Sequence, residues 1–206
     1  AMDDTDQSGA TEGSIDNIFI GSDAGGGEWT SAAVQYNVGI GTYALDADMN
    51  GATYNTALGY SALSAVTTGD NNVAIGANAG LLQTSAGDNT LIGYGAGDSL
   101  LSGSDNVAIG SGALQKDNYG GQNVAIGKDA LNQQVENANN RNVAIGHSAG
   151  FANITGGANV LIGFEAGNTI TSGDENTVLG YNCDVNSADN TNNVIIGNNL
   201  TATDKD

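Results

Sequence analysis

The chain has 206 residues, 39% of them apolar, but with 32 glycines, no proline, one tryptophan and three phenylalanines; it is long enough for one domain or one elongated repeat array, with a core of small aliphatic groups that suits a globular enzyme pocket poorly. Against four basic residues (Lys116, Lys128, Arg141, Lys205) stand 23 acidic ones, a formal charge of −19, which argues against nucleic acid and anionic membrane surfaces as partners because no basic patch or stripe exists to hold them. The single Cys183 excludes an internal disulfide framework, and no run of about 18 apolar residues is present to insert in a membrane as a helix.

Along the chain, residues 1–14 come first: Ala-Met followed by "DDTDQSGATEGS" reads as a cloning remnant and a disordered lead-in. From residue 15 to residue 200 one five-residue word fills the chain. It is "NIFIG" from Asn17, "NVGIG" from Asn37 and "NTALG" from Asn55, and it returns from Asn72, Asn89, Asn106, Asn123, Asn142, Asn159, Asn176 and Asn193. Successive asparagines are 20, 18, 17, 17, 17, 17, 19, 17, 17 and 17 residues apart, so the period is 17 and the departures mark longer loops within 25–36, 46–54 and 132–141. Residues 201–206 form a C-terminal tail.

Within the word, the residue after Asn is β-branched in every copy, from Ile18 to Val194, and the residue two further on is Ile or Leu, from Ile20 through Leu58 and Leu179 to Ile196. Such side chains suit a pleated, packed strand. Glycine closes each copy, Gly21 to Gly197, where the chain must turn. Three residues later comes alanine in nine copies, Ala24 to Ala166, then Cys183 and Leu200. That column predicts a tight inward slot, with Cys183 as a packed small hydrophobe rather than a reactive thiol. About four residues further on, a second apolar column (Val66, Leu82, Leu100, Val135, Ile154, Ile170) precedes a Gly/Asp/Asn/Ser cluster.

Each unit therefore predicts strand, turn, short strand, turn. A 17-residue unit cannot bury a core alone, whereas stacked units share one. The expected fold is all-β, a β-solenoid (β-roll) of about eleven 17-residue coils, a rod on the order of 50 Å long at one sheet spacing per coil. The Asn column is expected to form a ladder of side-chain amides from coil to coil.

The middle letter of the word is never polar: Phe19, Gly39, Ala57, Ala74, Leu91, Ala108, Ala125, Ala144, Leu161, Val178 and Ile195. If the letters on either side of it point into the roll, the middle letter points out. A strand apolar on both faces is buried on both, so Ala57, Ala74, Leu91, Ala108, Ala125, Ala144, Leu161 and Val178 are the expected interface between copies of the chain. On that assignment Ala125→Asp breaks assembly and Ile126→Asp unfolds the coil.

The spelling "NVAIGxxAG" resembles the head repeats of YadA-like trimeric autotransporter adhesins. The 17-residue form, as in "NTALGYSALSAVTTGDN" at 55–71, is similar to repeats of phage tail fibres and related bacterial surface fibres. The resemblance covers residues 15–200. It implies a homotrimer packed around a central axis, the head or shaft of a longer fibre on a cell surface or virion, extracellular, and serving attachment to a host or target cell through a glycan or protein receptor.

Two other functions are weighed against it. Tailspikes of similar build degrade glycans, but the lone His147, expected as a solvated turn residue, supports no nucleophilic triad. No catalytic residue is assigned, and the expectation is that the chain is not an enzyme. Asp88 and Asp105 each precede a word and fall one coil apart, a separation that suits a Ca²⁺ ion or paired-carboxylate chemistry; ordinary turn chemistry explains them better, and no cofactor is otherwise expected. Ice binding would need a regular Thr ladder, whereas the relevant column reads Thr67, Thr84, Leu101, Asn118, Val135, Ile154, Thr171. Candidate ligand contacts are the turn aromatics Tyr43, Tyr60, Tyr94, Phe164 and Tyr181, together with Trp29 and Arg141 in the longer loops.

Overall fold

The computed structural model describes residues 14–27, 29, 32–135 and 140–202. Almost all of the expected lead-in, the tail beyond 202 with Lys205, and parts of the loops 25–36 and 132–141 lie outside the described residues. Each copy of the word opens a short strand: β1 (Ile18–Ile20), β2 (Val38–Ile40), β3 (Thr56–Leu58), β4 (Val73–Ile75), β5 (Thr90–Ile92), β6 (Val107–Ile109), β7 (Val124–Ile126), β8 (Val143–Ile145), β9 (Val160–Ile162), β10 (Thr177–Tyr181) and β11 (Val194–Asn198). The strands form one sheet in chain order, each parallel to the next. Like letters face like: Val73 pairs with Thr90, Ala74 with Leu91, Ile75 with Ile92. Parallel neighbours need a return path, and here the rest of each repeat supplies it. The chain is thus an all-β parallel solenoid of about eleven coils, with no helix among the described residues.

On the return side, backbone hydrogen bonds again run from coil to coil: Thr67 N–H donates to Thr84 C=O (2.9 Å), Thr84 to Leu101 (3.0 Å) and Leu101 to Asn118 (2.8 Å). No strand forms there, contrary to the expected second short strand; outside the named strands only the isolated bridges Gln35–Thr53 and Asp184–Thr201 occur among the described residues. The backbone is too bent for more. In the central coils a left-handed residue precedes the word (Asp88 at φ 59°, Asp105 at φ 61°), and others follow it (Asn78 at φ 59°, Leu114 at φ 52°). The glycine closing the word is obligatory on two counts. Gly110 sits at φ +133°, and a Cβ there would lie 2.5 Å from the carbonyl oxygen of Gly127 in the next coil.

The faces of the sheet are the reverse of those expected. The middle letter points in: Ala57, Ala74, Leu91, Ala108, Ala125, Ala144, Leu161 and Val178 are all fully buried within the single chain. The flanking letters point out, with Leu58 at 44% and Ile75 at 37% exposure. Alternation fixes only that neighbours point oppositely. Width selects the phase, because a 17-residue coil encloses a narrow interior that takes one side chain from each strand and has no room for the two branched ones on either side of it.

The interior is filled by exchange between two columns. Where the middle letter is small, a leucine enters from the following turn, as in the pairs Gly39/Leu45, Ala57/Leu63, Ala108/Leu114 and Ala125/Leu131; where it is large, that turn position is glycine, as in Phe19/Gly25, Leu91/Gly97 and Leu161/Gly167. A Cβ on Gly97 would sit 2.8 Å from Leu91 Cδ2 and 2.9 Å from Leu100 Cδ1. Two further glycines, Gly80 and Gly150, make room for the leucines of both adjacent coils, Leu63 with Leu91 and Leu131 with Leu161. The arrangement of β2–β5 recurs in β6–β9, so the 17-residue repeat is nested in a repeat of four coils.

The alanine slot is buried as expected from Ala44 to Ala166, with Cys183 buried in line with it. The second inward column is only half as expected. Val66, Leu100 and Ile170 are buried, but Leu82, Val135 and Ile154 are exposed, and the residues that point inward beside them are Gln83, Gln134 and Asn153. Asp117 completes this column, also fully buried.

Candidate functional site

The asparagines make the scaffold rigid. Each accepts on Oδ1 the backbone N–H of the next Asn, as Asn106 N–H donates to Asn89 Oδ1 (2.9 Å) and Asn123 N–H to Asn106 Oδ1 (3.0 Å). In most coils Nδ2 donates to a carbonyl 14 residues on, closing the same coil: Asn106 to Gly120 (2.9 Å), Asn159 to Gly173 (2.8 Å). Direct amide-to-amide bonds of the expected kind are present at some steps only, such as Asn72 Nδ2 to Asn55 Oδ1 (2.9 Å). The ladder is therefore mainly side chain to backbone, and it uses both the acceptor and the donor of the amide, which neither Asp nor Ser offers together at this reach.

Mounted on this scaffold is an outward sheet face made of the first and third letters of the word. In none of the eleven strands does either position carry a charge, although the chain as a whole is strongly acidic. The face is about 48 Å tall at one sheet spacing per coil. Sequence reasoning missed it by choosing the wrong phase; the signal that identifies it is the exchange between the middle letter and the residue six places on, Ala57 with Leu63 and Ala108 with Leu114 but Leu91 with Gly97 and Leu161 with Gly167, which marks two positions that share one interior volume.

Turn residues border the face on both edges. On the edge after the strand, Phe164 lies between His147 and Tyr181, with ring centroids 5.2 Å apart on each side and interplanar angles of 12° and 13°. His147 is exposed and its Nδ1 is 3.1 Å from Ser148 Oγ. Tyr43 and Tyr60 meet edge-on at 5.9 Å on the same edge, and Tyr94 is 62% exposed. On the edge before the strand, Tyr36 and Tyr54 stack at 4.9 Å, a pair not singled out from the sequence. The candidates Tyr43, Tyr60, Tyr94, Phe164 and Tyr181 are thus all on the surface, and Arg141 is exposed on the preceding edge. Trp29 is not: it is buried against Phe19 (5.5 Å) in the first coil, so its expected role as a ligand contact is withdrawn. The eight middle-letter residues expected at a subunit interface are likewise core residues.

The carboxylates fall into two groups. Asp88 and Asp105 are exposed turn residues on adjacent coils, whose N–H groups bond to Asp70 and Gly87 carbonyls at 3.0 and 3.2 Å. Among the described residues no group of three or more His, Cys, Asp or Glu side chains is placed to hold a metal ion. Asp117 is the buried exception. Gly120 N–H (2.6 Å) donates to Oδ1; Gln134 Nε2 (3.0 Å) and Asn123 Nδ2 (3.4 Å) donate to Oδ2. Burial pushes its carboxyl up to about 6, against the opposing pull of the Gly120 and Tyr119 backbone and the Gln134 amide. Donors on both carboxylate oxygens fix Asp117 within the core column.

Comparison with protein-family models, with curated proteins and with solved structures finds no match for this chain.

Proposed function

We propose that this chain is the head or shaft segment of a homotrimeric fibre on a cell surface or virion, a rigid extracellular spacer that also mediates attachment to a host or target cell. One observation carries the reading: an uncharged outward face running the length of an otherwise acidic rod. The strands alone, roughly 8 Å wide over the height of the rod, make an uncharged strip on the order of 400 Å² per copy, the size of patch that often marks an interaction site. With the mixed polar and aromatic turns beside it, the surface available to a partner is on the order of 1,000 Å², against the roughly 800 Å² that each side contributes to a stable interface. Three copies turning this face to a common axis bury it, and the long turns are left outside for a receptor. The reading assigns the chain no reaction and no resident cofactor.

The experiment is the solution mass by light scattering on a sizing column. A chain of 20.5 kDa assembled in threes gives about 61.5 kDa, and Ile126→Asp, a charge in the centre of the outward face, reduces this to the single-chain mass with the far-ultraviolet spectrum unchanged. A single-chain mass for the unaltered protein overturns the reading.

A further inference from the structure

Four tyrosines stand at one height of the rod, on opposite edges of the outward face. Tyr36 and Tyr54 stack on the edge that precedes β2 and β3, and Tyr43 and Tyr60 pair on the edge that follows the same two strands. All four are exposed, between 39% and 57%. Turn chemistry does not account for them. Tyr36, Tyr54 and Tyr43 have φ of 59°, 59° and 60°, a region that bulky side chains avoid and that Asp and Asn occupy more readily; in the column of Tyr36 and Tyr54 other coils carry Asp16, Asn71, Asp88 and Asp105, and also Gln122, Arg141 and Glu175, but no other aromatic.

Cyclic symmetry about an axis parallel to the rod brings these edges together. When each copy turns its sheet face to the axis, the trailing edge of one copy meets the leading edge of the next, always at the same height. We propose that Tyr43 and Tyr60 of one copy pack against Tyr36 and Tyr54 of the next, so that a ring of tyrosine clusters around coils 2 and 3 clasps the assembly at its seams. The inference rests on the assembly proposed above and names its partner surface. Elsewhere along the seam the trailing edge still carries aromatics, Tyr94 and the His147–Phe164–Tyr181 stack, but the leading edge opposite them carries Asp88, Arg141 and Glu175, so coils 2 and 3 are where aromatic pairs stand on both edges at one height. Aromatic pairs of this kind add to area burial and anchor interfaces.

The test is disulfide trapping with Tyr54→Cys and Tyr60→Cys combined, in a Cys183→Ala background, alanine being the residue that fills that column in other coils. Positions 54 and 60 lie at opposite ends of β3, roughly 20 Å apart along an extended segment, far beyond the 7 Å or so within which one chain could bridge them, so any bond joins two copies. Mild oxidation is expected to yield a three-chain product on a denaturing, non-reducing gel. The control pair Tyr54→Cys with Tyr94→Cys, displaced by two coils or about 10 Å, is expected to remain single-chain. Equal trapping of both pairs overturns the same-height seam. Absence of trapping in a protein whose native mass is still that of three chains overturns the tyrosine seam alone, whereas a single-chain native mass for the unaltered protein removes the seam and the assembly together.

Discussion

Asn106 shows how much one side chain does in this fold. Its Oδ1 takes the N–H of Asn123 and its Nδ2 reaches the carbonyl of Gly120, all fully inside the rod. Asn106→Ala therefore strands one buried donor and one buried acceptor, and should cost about 2–5 kcal/mol, read as a large fall in melting temperature; a change within error would mean that water replaces both bonds. Asp117 acts in the opposite sense. Its carboxyl titrates near 6 in the folded chain and near 3.8 when unfolded, so the folded state binds the proton more tightly. The stabilisation is full below pH 3.8 and is lost as pH rises through 6, leaving a buried charge that costs on the order of 3 kcal/mol at neutral pH. Asp117→Asn should accordingly melt higher than the parent at pH 7.5, with the advantage vanishing near pH 4. A difference that does not vary with pH would show that the carboxyl is not responsible.

At the level of the coil, the exchange between middle letter and turn makes a quantitative prediction. Leu91→Ala empties the layer and should cost about 2–5 kcal/mol. Gly97→Leu overfills it at a left-handed φ of +58° and should cost about 1–3 kcal/mol or more. Made together, the two changes convert this coil to the Ala57/Leu63 type, and the double variant should be more stable than the sum of the single losses by about 1–3 kcal/mol. Strict additivity in thermal melts would mean that the columns do not share one volume. The four-coil repeat follows from this sharing, and it was open to reading: "NTLIGYGAG" from Asn89 and "NVLIGFEAG" from Asn159 are nearly the same string. A search tuned to the 17-residue word averages the difference away. The second inward column was misread for a related reason, since an apolar residue beside Gln83, Gln134 or Asn153 draws attention from the polar one that turns inward.

Over the whole molecule, the orientation of the strand decides which variants unfold and which dissociate. Ala125 has no exposure, so Ala125→Asp buries an unpaired charge and should abolish the folded sheet, seen as loss of the strand signal in the far-ultraviolet at 25 °C. A folded Ala125→Asp protein would return the middle letter to the surface. Eleven copies of a word at period 17, β-branched and aliphatic letters around one that is never polar, and glycine at every close were enough to establish the all-β solenoid, its coil count and the stacking of the asparagines, because stacking identical units aligns identical residues whatever the detailed path. They did not establish that the asparagine amides bond mainly to backbone. What only the tertiary structure decided was the phase of that stack: which letters face the narrow interior, where Gln83, Asp117, Gln134 and Asn153 enter it, that Trp29 belongs to the core, and that two tyrosine pairs share one height. A period of two records that neighbours differ, but the volume enclosed by the closed coil chooses between the two faces, and that volume depends on side chains arriving from the opposite turn.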